Sequence, residues 1–409
     1  MTVFTRNIPL LALSQALMMT AMSLILTTAA LVGYELAADK SLATLPVTTI
    51  FIAIMLTSIP ASMLMGRIGR KAGFMLATLV GVAGGIVSTL AIMQSNFWLF
   101  LLGTSLVGVF NGFGNYYRFA AADAVDHEHK GRAVSYIMLG GVAAAVVGPN
   151  LANMSREWIA SAAFAGSYAS LIGLYLLSFI VLGFLRLPKI ETAKLSSDDS
   201  TVRSLKDIVT QPKYIVALIC GMLGYGVMTL VMTATPLAMR HHAHQFSDTS
   251  FIIQWHVLGM FAPSFVTGQL IQRFGLLKIM FVGGLLGLAC VGVNLLGHSL
   301  THYWFALVLL GISWNFLFVG ATTLLTETYH PVEQAKAQAA NDFAVFSVVA
   351  LSSLFAGALQ HQFGWQAVNL GVIPFLFIVL ASLFWLNGRY TYESSAVDTN
   401  LEPIKNDAV

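Results

Sequence analysis

Three polar side chains interrupt an otherwise apolar stretch of this chain. Asn111, Asn115 and Arg118 stand at i, i+4 and i+7, a spacing that places them on one face of a helix, with Tyr116 and Tyr117 on either flank of the stripe. A guanidinium is a planar fork of five donors that stays charged, so Arg118 suits a carboxylate, a phosphate or a strongly hydrogen-bonding solute. An equal reading stretches Arg118 to nearby water or pairs it with Asp123. A second group comprises Trp314, Asn315 and Thr322, with Asn341 and Asp342 further on. The indole of Trp314 offers a flat face and one donor to an aromatic ligand, or simply packs. Asp342 is a candidate for proton release, or else for charge pairing beside Lys336 and Arg273. Glu327 is a candidate for the same proton step or for a gate salt bridge. His256, following Trp255, titrates near neutrality and is a candidate for binding or a proton step, against the alternative of a satisfied buried imidazole. Gln15 and Tyr225 complete the set of hydrogen-bonding candidates. The run His241-His242-Ala243-His244 has the ligand type for a divalent metal, but only Asp248 is near and no cysteine. It reads as surface histidines, and neither a metal nor a cofactor is expected.

What surrounds these residues is lipid-soluble. Of 409 residues 57% are hydrophobic and 10% charged, with a mean hydropathy of +0.78; a water-facing domain carries about 25% charged residues. In a bilayer, backbone groups must be satisfied inside helices or a closed barrel, and long unbroken apolar runs select helices. Windows free of Asp, Glu, Lys and Arg run over 7–34, 41–66, 133–155, 158–185, 214–239 and 249–272, each enough for a span of about 20 residues. Three more, 72–117, 279–326 and 343–388, would stretch to roughly 70 Å as single helices, so each folds back once. The turns are expected at Ser95-Asn96, Gly297-His298-Ser299 and His361-Gln362-Phe363-Gly364. The expectation is an all-α membrane protein of twelve transmembrane helices in two pseudo-symmetric six-helix bundles. The N-terminal apolar run reads as an uncleaved first span, and Cys220 and Cys290, both in apolar stretches, as structural thiols.

Lysines and arginines orient the chain. With the N-terminus as side one, eighteen fall on that side and only Lys40, Arg156 and Arg240 on the other, so both termini are expected in the cytoplasm. The expected division is a first bundle over 1–186, a cytoplasmic linker over 187–212, a second bundle over 213–388 and a polar cytoplasmic tail over 389–409. An offset of 206 residues relates the halves: Arg67 to Arg273, Gly69 to Gly275, Gly81 to Gly287, Trp98 to Trp304, Gly114 to Gly320 and Lys130 to Lys336.

These features resemble the major facilitator superfamily over nearly the whole chain. That family's loop between its second and third helices follows G-x-L-x-D-R-x-G-R-K. Here it is similar to Ser62-Met63-Leu64-Met65-Gly66-Arg67-Ile68-Gly69-Arg70-Lys71, and again to Gly268-Gln269-Leu270-Ile271-Gln272-Arg273-Phe274-Gly275. Gly66 and Gln272 replace the family's acid. The resemblance implies a cytoplasmic gate at Arg67, Gly69, Arg70, Lys71, Arg273 and Gly275. The charges themselves set Asp123, Asp126 and Glu128 across two adjacent loops from Arg67, Arg70, Lys71, Lys130 and Arg132, either as inter-helix ion pairs that stabilise one state of the cycle or as a solvated cluster worth little energy. The resemblance also implies two bundles that rock about a central site near the bilayer midplane. Gly140-Gly141 and Gly148-Pro149 match the glycine series of proton-driven exporters only in part, leaving direction open.

The function expected is secondary active transport of a small organic solute across the inner membrane, coupled to protons, by a monomer in contact with lipids. Organic anions would suit Arg118, and vitamins or flat heteroaromatic metabolites the tryptophans and tyrosines. A drug or metabolite efflux antiporter is the alternative, and a non-transporting sensor a further one. No G-x-x-x-x-G-K-[ST] loop for direct ATP use and no cluster of catalytic groups is present, so an enzyme is not expected, and the mild net charge of +3 points to membrane topology rather than nucleic acid.

Overall fold

A computed structural model describes residues 3–123, 125, 130–187 and 203–399. Among them the fold is entirely helical: α1 (Val3–Leu36), α2 (Leu45–Ile68), α3 (Arg70–Met93), α4 (Phe97–Gly114), α5 (Tyr117–Asp123), α6 (Lys130–Ser155) and α7 (Ala165–Gly183), then α8 (Leu205–Val209), α9 (Pro212–His241), α10 (Phe246–Phe261), α11 (Ser264–Phe274), α12 (Leu276–Leu296), α13 (Leu300–Thr326) and α14 (Gln334–Thr399). Nine helices among the described residues are long and apolar enough to cross a bilayer, ten if α10 and α11, bent by 42°, form one span. The difference from the expected twelve lies in two places. The apolar part of α14 runs 54 residues, about 80 Å at 1.5 Å per residue, and it turns at Gly364 (φ 77°, ψ −178°). The other is α6, 26 residues long, which is not among the nine. The remaining turns fall where polar residues break the apolar windows, between α3 and α4 and between α12 and α13.

Lipid gives helices no hydrophobic reason to pair, so packing relies on small residues and buried polar contacts. In the first half α3 lies against α4 and α7, and α1 against α6. The α3–α4 approach is close enough that a Cβ on Gly103 would sit 2.2 Å from the Ser88 hydroxyl. In the second half α9 packs on α14 and α13 on α12 and α10. There the Asn294 amide donates to Asn369 at 2.7 Å and Ser313 donates to the Gly283 carbonyl at 2.7 Å, both in the interior.

The internal repeat is visible in the backbone. Gly69 (φ 86°, ψ 151°) ends α2 and Gly275 (φ 94°, ψ 146°) ends α11. Each amide donates to the carbonyl four residues back, Met65 or Ile271, at 2.9 Å. Side chains rarely adopt this positive φ, so glycine at both positions follows from one turn geometry used twice.

The halves touch through α2 with α14, α6 with α10, and α1 with α9. The hydrogen bonds that join them cluster from the bundle's middle to the end remote from the termini. Thr48 contacts Ser353 at 3.3 Å, the Gly357 amide donates to the Thr44 hydroxyl at 3.1 Å, Asn150 donates to Gln254 at 2.8 Å and Ser250 to the Pro149 carbonyl at 2.6 Å. At that far end Arg240 pairs with Glu35 at 3.1 Å, and with both side chains over 40% exposed the pair is worth about 0–1 kcal/mol. Toward the opposite end, which carries most of the basic residues, Met63 of α2 and Phe343 of α14 are exposed. The hydrogen bonds between the halves among the described residues thus lie in the middle and at the far end.

At the basic end, outside the spans, Arg203 is clamped to the α13–α14 connection. Its guanidinium donates to Glu333 at 2.6 and 3.0 Å and to the Thr328 carbonyl at 3.0 Å, its amide also reaches Glu333 at 2.9 Å, and Lys336 donates to the Arg203 carbonyl. The Arg203 hydrogen bond, aided by the His330 amide, holds the Glu333 carboxyl down at about 2 from its ordinary 4.5. A carboxylate depressed by folding contributes stability that is complete above its ordinary value and disappears as the pH falls through the lowered one. Glu333→Gln should therefore lower the thermal midpoint at neutral pH, and the gap to wild type should shrink as pH falls from 4.5 toward 2. A gap that stays constant over that range would show that ionisation of Glu333 contributes nothing.

Candidate functional site

The candidate residues lie on α4 and α5 in the first half and mainly on α9, α13 and α14 in the second. The stripe read on one helix is interrupted: α4 ends at Gly114, and Asn115 and Tyr116 form a turn before α5. Asn111 is buried and returns its amide to the Val107 carbonyl at 2.9 Å. Asn115 is half-buried, and Arg118 is exposed toward the open end with its guanidinium over the Phe119 ring at 4.9 Å. The Tyr116 hydroxyl donates to the Ser58 carbonyl of α2 at 2.8 Å, fixing the turn. Across the gap on α14, Asp342 is exposed and accepts from Asn341 at 3.2 Å. Arg118 in the first half and Asp342 in the second are thus an exposed cation and an exposed anion.

The second half supplies an aromatic wall. Trp314 and Phe318, one helical turn apart on α13, stack with centroids 4.9 Å apart and planes 10° apart. Tyr225 of α9 meets both edge-on at 5.4 Å, Phe261 of α10 meets Trp314 at 6.1 Å, and Phe346 of α14 meets Tyr225 at 6.2 Å. The Trp314 indole N–H is buried without a hydrogen-bond partner. A buried unsatisfied donor costs about 1–3 kcal/mol, so an acceptor brought against this wall would gain that donor. Sequence reading singled out Trp314 and Tyr225 but missed Phe261, Phe318 and Phe346; the Trp-x-x-x-Phe spacing at 314 and 318 was the available signal.

Other candidates are placed elsewhere. Asn315 is fully buried and donates to the Met260 carbonyl at 2.7 Å and the Ser264 hydroxyl at 2.6 Å, while Thr267 donates to its oxygen at 2.7 Å. It staples the α10–α11 bend, where Pro263 breaks the helix, rather than joining the wall. His256 is buried with Nδ1 2.8 Å from the Leu307 carbonyl of α13, so it sits between two helices of one half. Gln15 is buried on α1. Glu327 pairs with Lys213 at 2.9 Å, both substantially exposed, at the basic end of the second half. Lys336 is engaged by Arg203 rather than by Asp342.

Of the gate residues, Lys71 donates to the Gly183 carbonyl at the end of α7 at 2.6 Å, a cation on a helix C-terminus. Arg67 and Arg273 are exposed, Arg273 over the Phe274 ring at 5.3 Å, and Arg70, the first residue of α3, is half-buried. The side chains of Asp123, Asp126, Glu128, Lys130 and Arg132 lie outside the described residues, as does most of the linker. In the far-end histidine run, His242 stacks on His298 at 4.0 Å, and His244 Nε2 is 2.8 Å from the His298 carbonyl. No group of three metal-ligating side chains occurs among the described residues.

Comparison with known proteins places this architecture. The family description Major Facilitator Superfamily matches residues 11–253 and 217–406. The chain is 42% identical over 382 residues to the riboflavin transporter RfnT of Brucella anthropi, covering 93% of this chain and 96% of that protein. It is 30% identical to the MFS-type transporter YddS of Bacillus subtilis, covering 82% of this chain and 79% of that one. Among solved structures, a bacterial homologue of the human lysosomal transporter Spinster, in an inward-facing and occupied conformation, superposes with a TM-score of 0.69 at 15% identity, over 92% of this chain and 95% of that one. The chain is a multi-pass membrane protein that belongs to the major facilitator superfamily.

Proposed function

We propose that this protein carries riboflavin, or a flat heteroaromatic solute of the same build, across the cytoplasmic membrane by alternating access. The observation that carries this reading is the aromatic wall of Tyr225, Phe261, Trp314, Phe318 and Phe346 on one half, in a chain that is 42% identical to a riboflavin transporter. A fused aromatic ring system stacks on such a wall at about 0.5–1.5 kcal/mol per ring pair beyond its buried area. Its carbonyl and ring-nitrogen acceptors match the unpartnered Trp314 N–H and the guanidinium of Arg118. The ring system itself is neutral, so Arg118 acts as a donor fork toward oxygen atoms rather than as a counter-charge.

The excess of lysine and arginine at one end supports an orientation with that end, and both termini, in the cytoplasm of a cell with an inner membrane. On that orientation the conformation is closed outside and open inside. Arg118 and Asp342 then form the mouth that must close when the outer seam opens, and protonation of Asp342 would weaken their attraction, coupling closure to a proton. One charge moved through 100 mV supplies about 2.3 kcal/mol, enough to bias two states that differ by a few kcal/mol.

Riboflavin counterflow into proteoliposomes should be saturable in the wild type. Trp314→Ala should weaken the half-saturating concentration about tenfold, as the loss of roughly 1.4 kcal/mol requires; unaltered counterflow in that variant removes the wall from the site. An inside-alkaline gradient should accelerate net uptake in the wild type but not in Asp342→Asn, which should retain counterflow. Acceleration of the same size in the variant would exclude Asp342 as the coupling group. Single cysteines introduced near the two ends of the chain, in a background lacking Cys220 and Cys290, should resist an impermeant thiol reagent in intact cells; labelling of either end overturns the orientation.

A further inference from the structure

A cavity of about 570 Å³ lies at the far end, on the seam between the halves. Its walls are contributed by α1, the α6–α7 connection, α9 and the start of α10. Two guanidiniums line it, Arg156 from the first half and Arg240 from the second, against a single carboxylate, Glu35. Arg240 already engages that carboxylate at 3.1 Å. Arg156 pairs with no carboxylate among the described residues, and its Nε–H is buried without a hydrogen-bond partner.

The surroundings of Arg156 are built to hold it in place. Its guanidinium lies over the rings of Phe164, 5.0 Å away, and of Phe246, 5.4 Å away. Those rings meet edge-on at 4.9 Å, one from each half. Phe164 adopts a left-handed backbone, φ 67°, a conformation that costs a non-glycine residue about 1–3 kcal/mol. Its amide donates to the Arg156 carbonyl at 3.0 Å, so the strained residue is tied to the arginine whose guanidinium its ring supports. Aromatic faces satisfy part of a guanidinium's charge but none of its N–H donors. The donor set left over is that of an oxyanion site.

We propose that this far-end cavity is an anion site that takes the phosphate or carboxylate of a small organic solute on its extracytoplasmic face. The anionic group lies between Arg156 and Arg240, and the organic portion rests on Leu31, Pro236 and the Phe246 ring, which belong to the apolar part of a lining that also includes Asn153, His244, Gln245, Ser247 and Thr249. Because the two arginines belong to different halves, a bound anion ties the halves together where they already touch and favours the conformation closed at this end. This site is separate from the aromatic wall and does not depend on which solute the wall receives.

The test uses the full chain in nanodiscs, with inorganic phosphate and phenyl phosphate titrated at constant ionic strength and the thermal midpoint as readout. Both anions should raise the midpoint saturably, phenyl phosphate at the lower concentration because its ring meets the apolar lining. Arg156→Gln and Arg240→Gln should each raise the half-saturating concentration about tenfold or more, whereas Arg118→Gln should leave it unchanged. Arg156→Lys, which keeps the charge and protects against a folding failure, should bind more weakly than wild type but more tightly than Arg156→Gln. A midpoint that does not respond saturably overturns the proposal. So does a response that survives Arg156→Gln intact, or one that disappears in Arg118→Gln and thereby places the anion in the central space.

Discussion

The controlling constraint is that a peptide group in hydrocarbon has no water to bond, so every amide and carbonyl in the span must be satisfied from within the protein. Continuous helices meet that demand unaided, and wherever a helix breaks a side chain has to intervene. The bend between α10 and α11 is the clearest case. Pro263 has no N–H to continue the ladder, and Asn315 from α13 reaches across to the Met260 carbonyl while taking a bond from Thr267. A buried asparagine at membrane depth looks like a ligand group in a sequence, yet its bonds are consumed in holding a bend. At the turn between α4 and α5 the service is performed differently, by Tyr116 on the Ser58 carbonyl of the neighbouring helix, and that leaves Arg118 to face the opening.

The same accounting explains why the seam between the halves is sparsely bonded. Its hydrogen bonds join hydroxyls, amides and carbonyls that lie near or beyond the middle of the bundle, and its one far-end ion pair, Glu35 with Arg240, is exposed. Contacts of this kind contribute about 0.5–1.5 kcal/mol each for hydrogen bonds and about 0–1 for the ion pair. Inside each half, by contrast, the helices approach until glycine is required, and asparagines pair in the interior. Strong cohesion within halves and weak cohesion between them is what rigid-body rocking needs. A seam held by a few kcal/mol can exchange for an equal set at the opposite mouth.

Much of the architecture was legible because charge and length are what the bilayer selects. Charge-free windows located the spans and their turns, and the 206-residue offset located Gly69 and Gly275, whose backbone angles agree to within about 10°. The site was legible only in part. Periodicity placed Asn111, Asn115 and Arg118 together but could not show that a turn divides them at Asn115. It also could not tell His256, which bonds a neighbouring helix's carbonyl, from a histidine facing a cavity, since both look like a lone polar residue in an apolar run. Phe261 and Phe346 were invisible for the opposite reason, and Phe318 was marked only by its spacing from Trp314. Phenylalanine in a membrane helix carries no signal of its own, and only the convergence of four helices turns these residues into a wall.

That convergence is confined to one half, and the contrast between the halves has a consequence for mechanism. The first half has aromatic contacts of its own, but Phe74 with Tyr117, Phe100 with Tyr168 and Phe110 with Tyr175 are edge-on pairs between buried side chains. They tie α3 to α5 and α4 to α7. In the second half the rings gather around Trp314, whose donor is still unmatched. In the proposed cycle, a solute stacked there travels with the second half, while Arg118 on the first half approaches or withdraws as the halves rock. Binding strength then changes with conformation through the polar group and not through the stack. On the proposed function, affinity resides in the aromatic wall, and the coupling of binding to movement resides in Arg118 and Asp342.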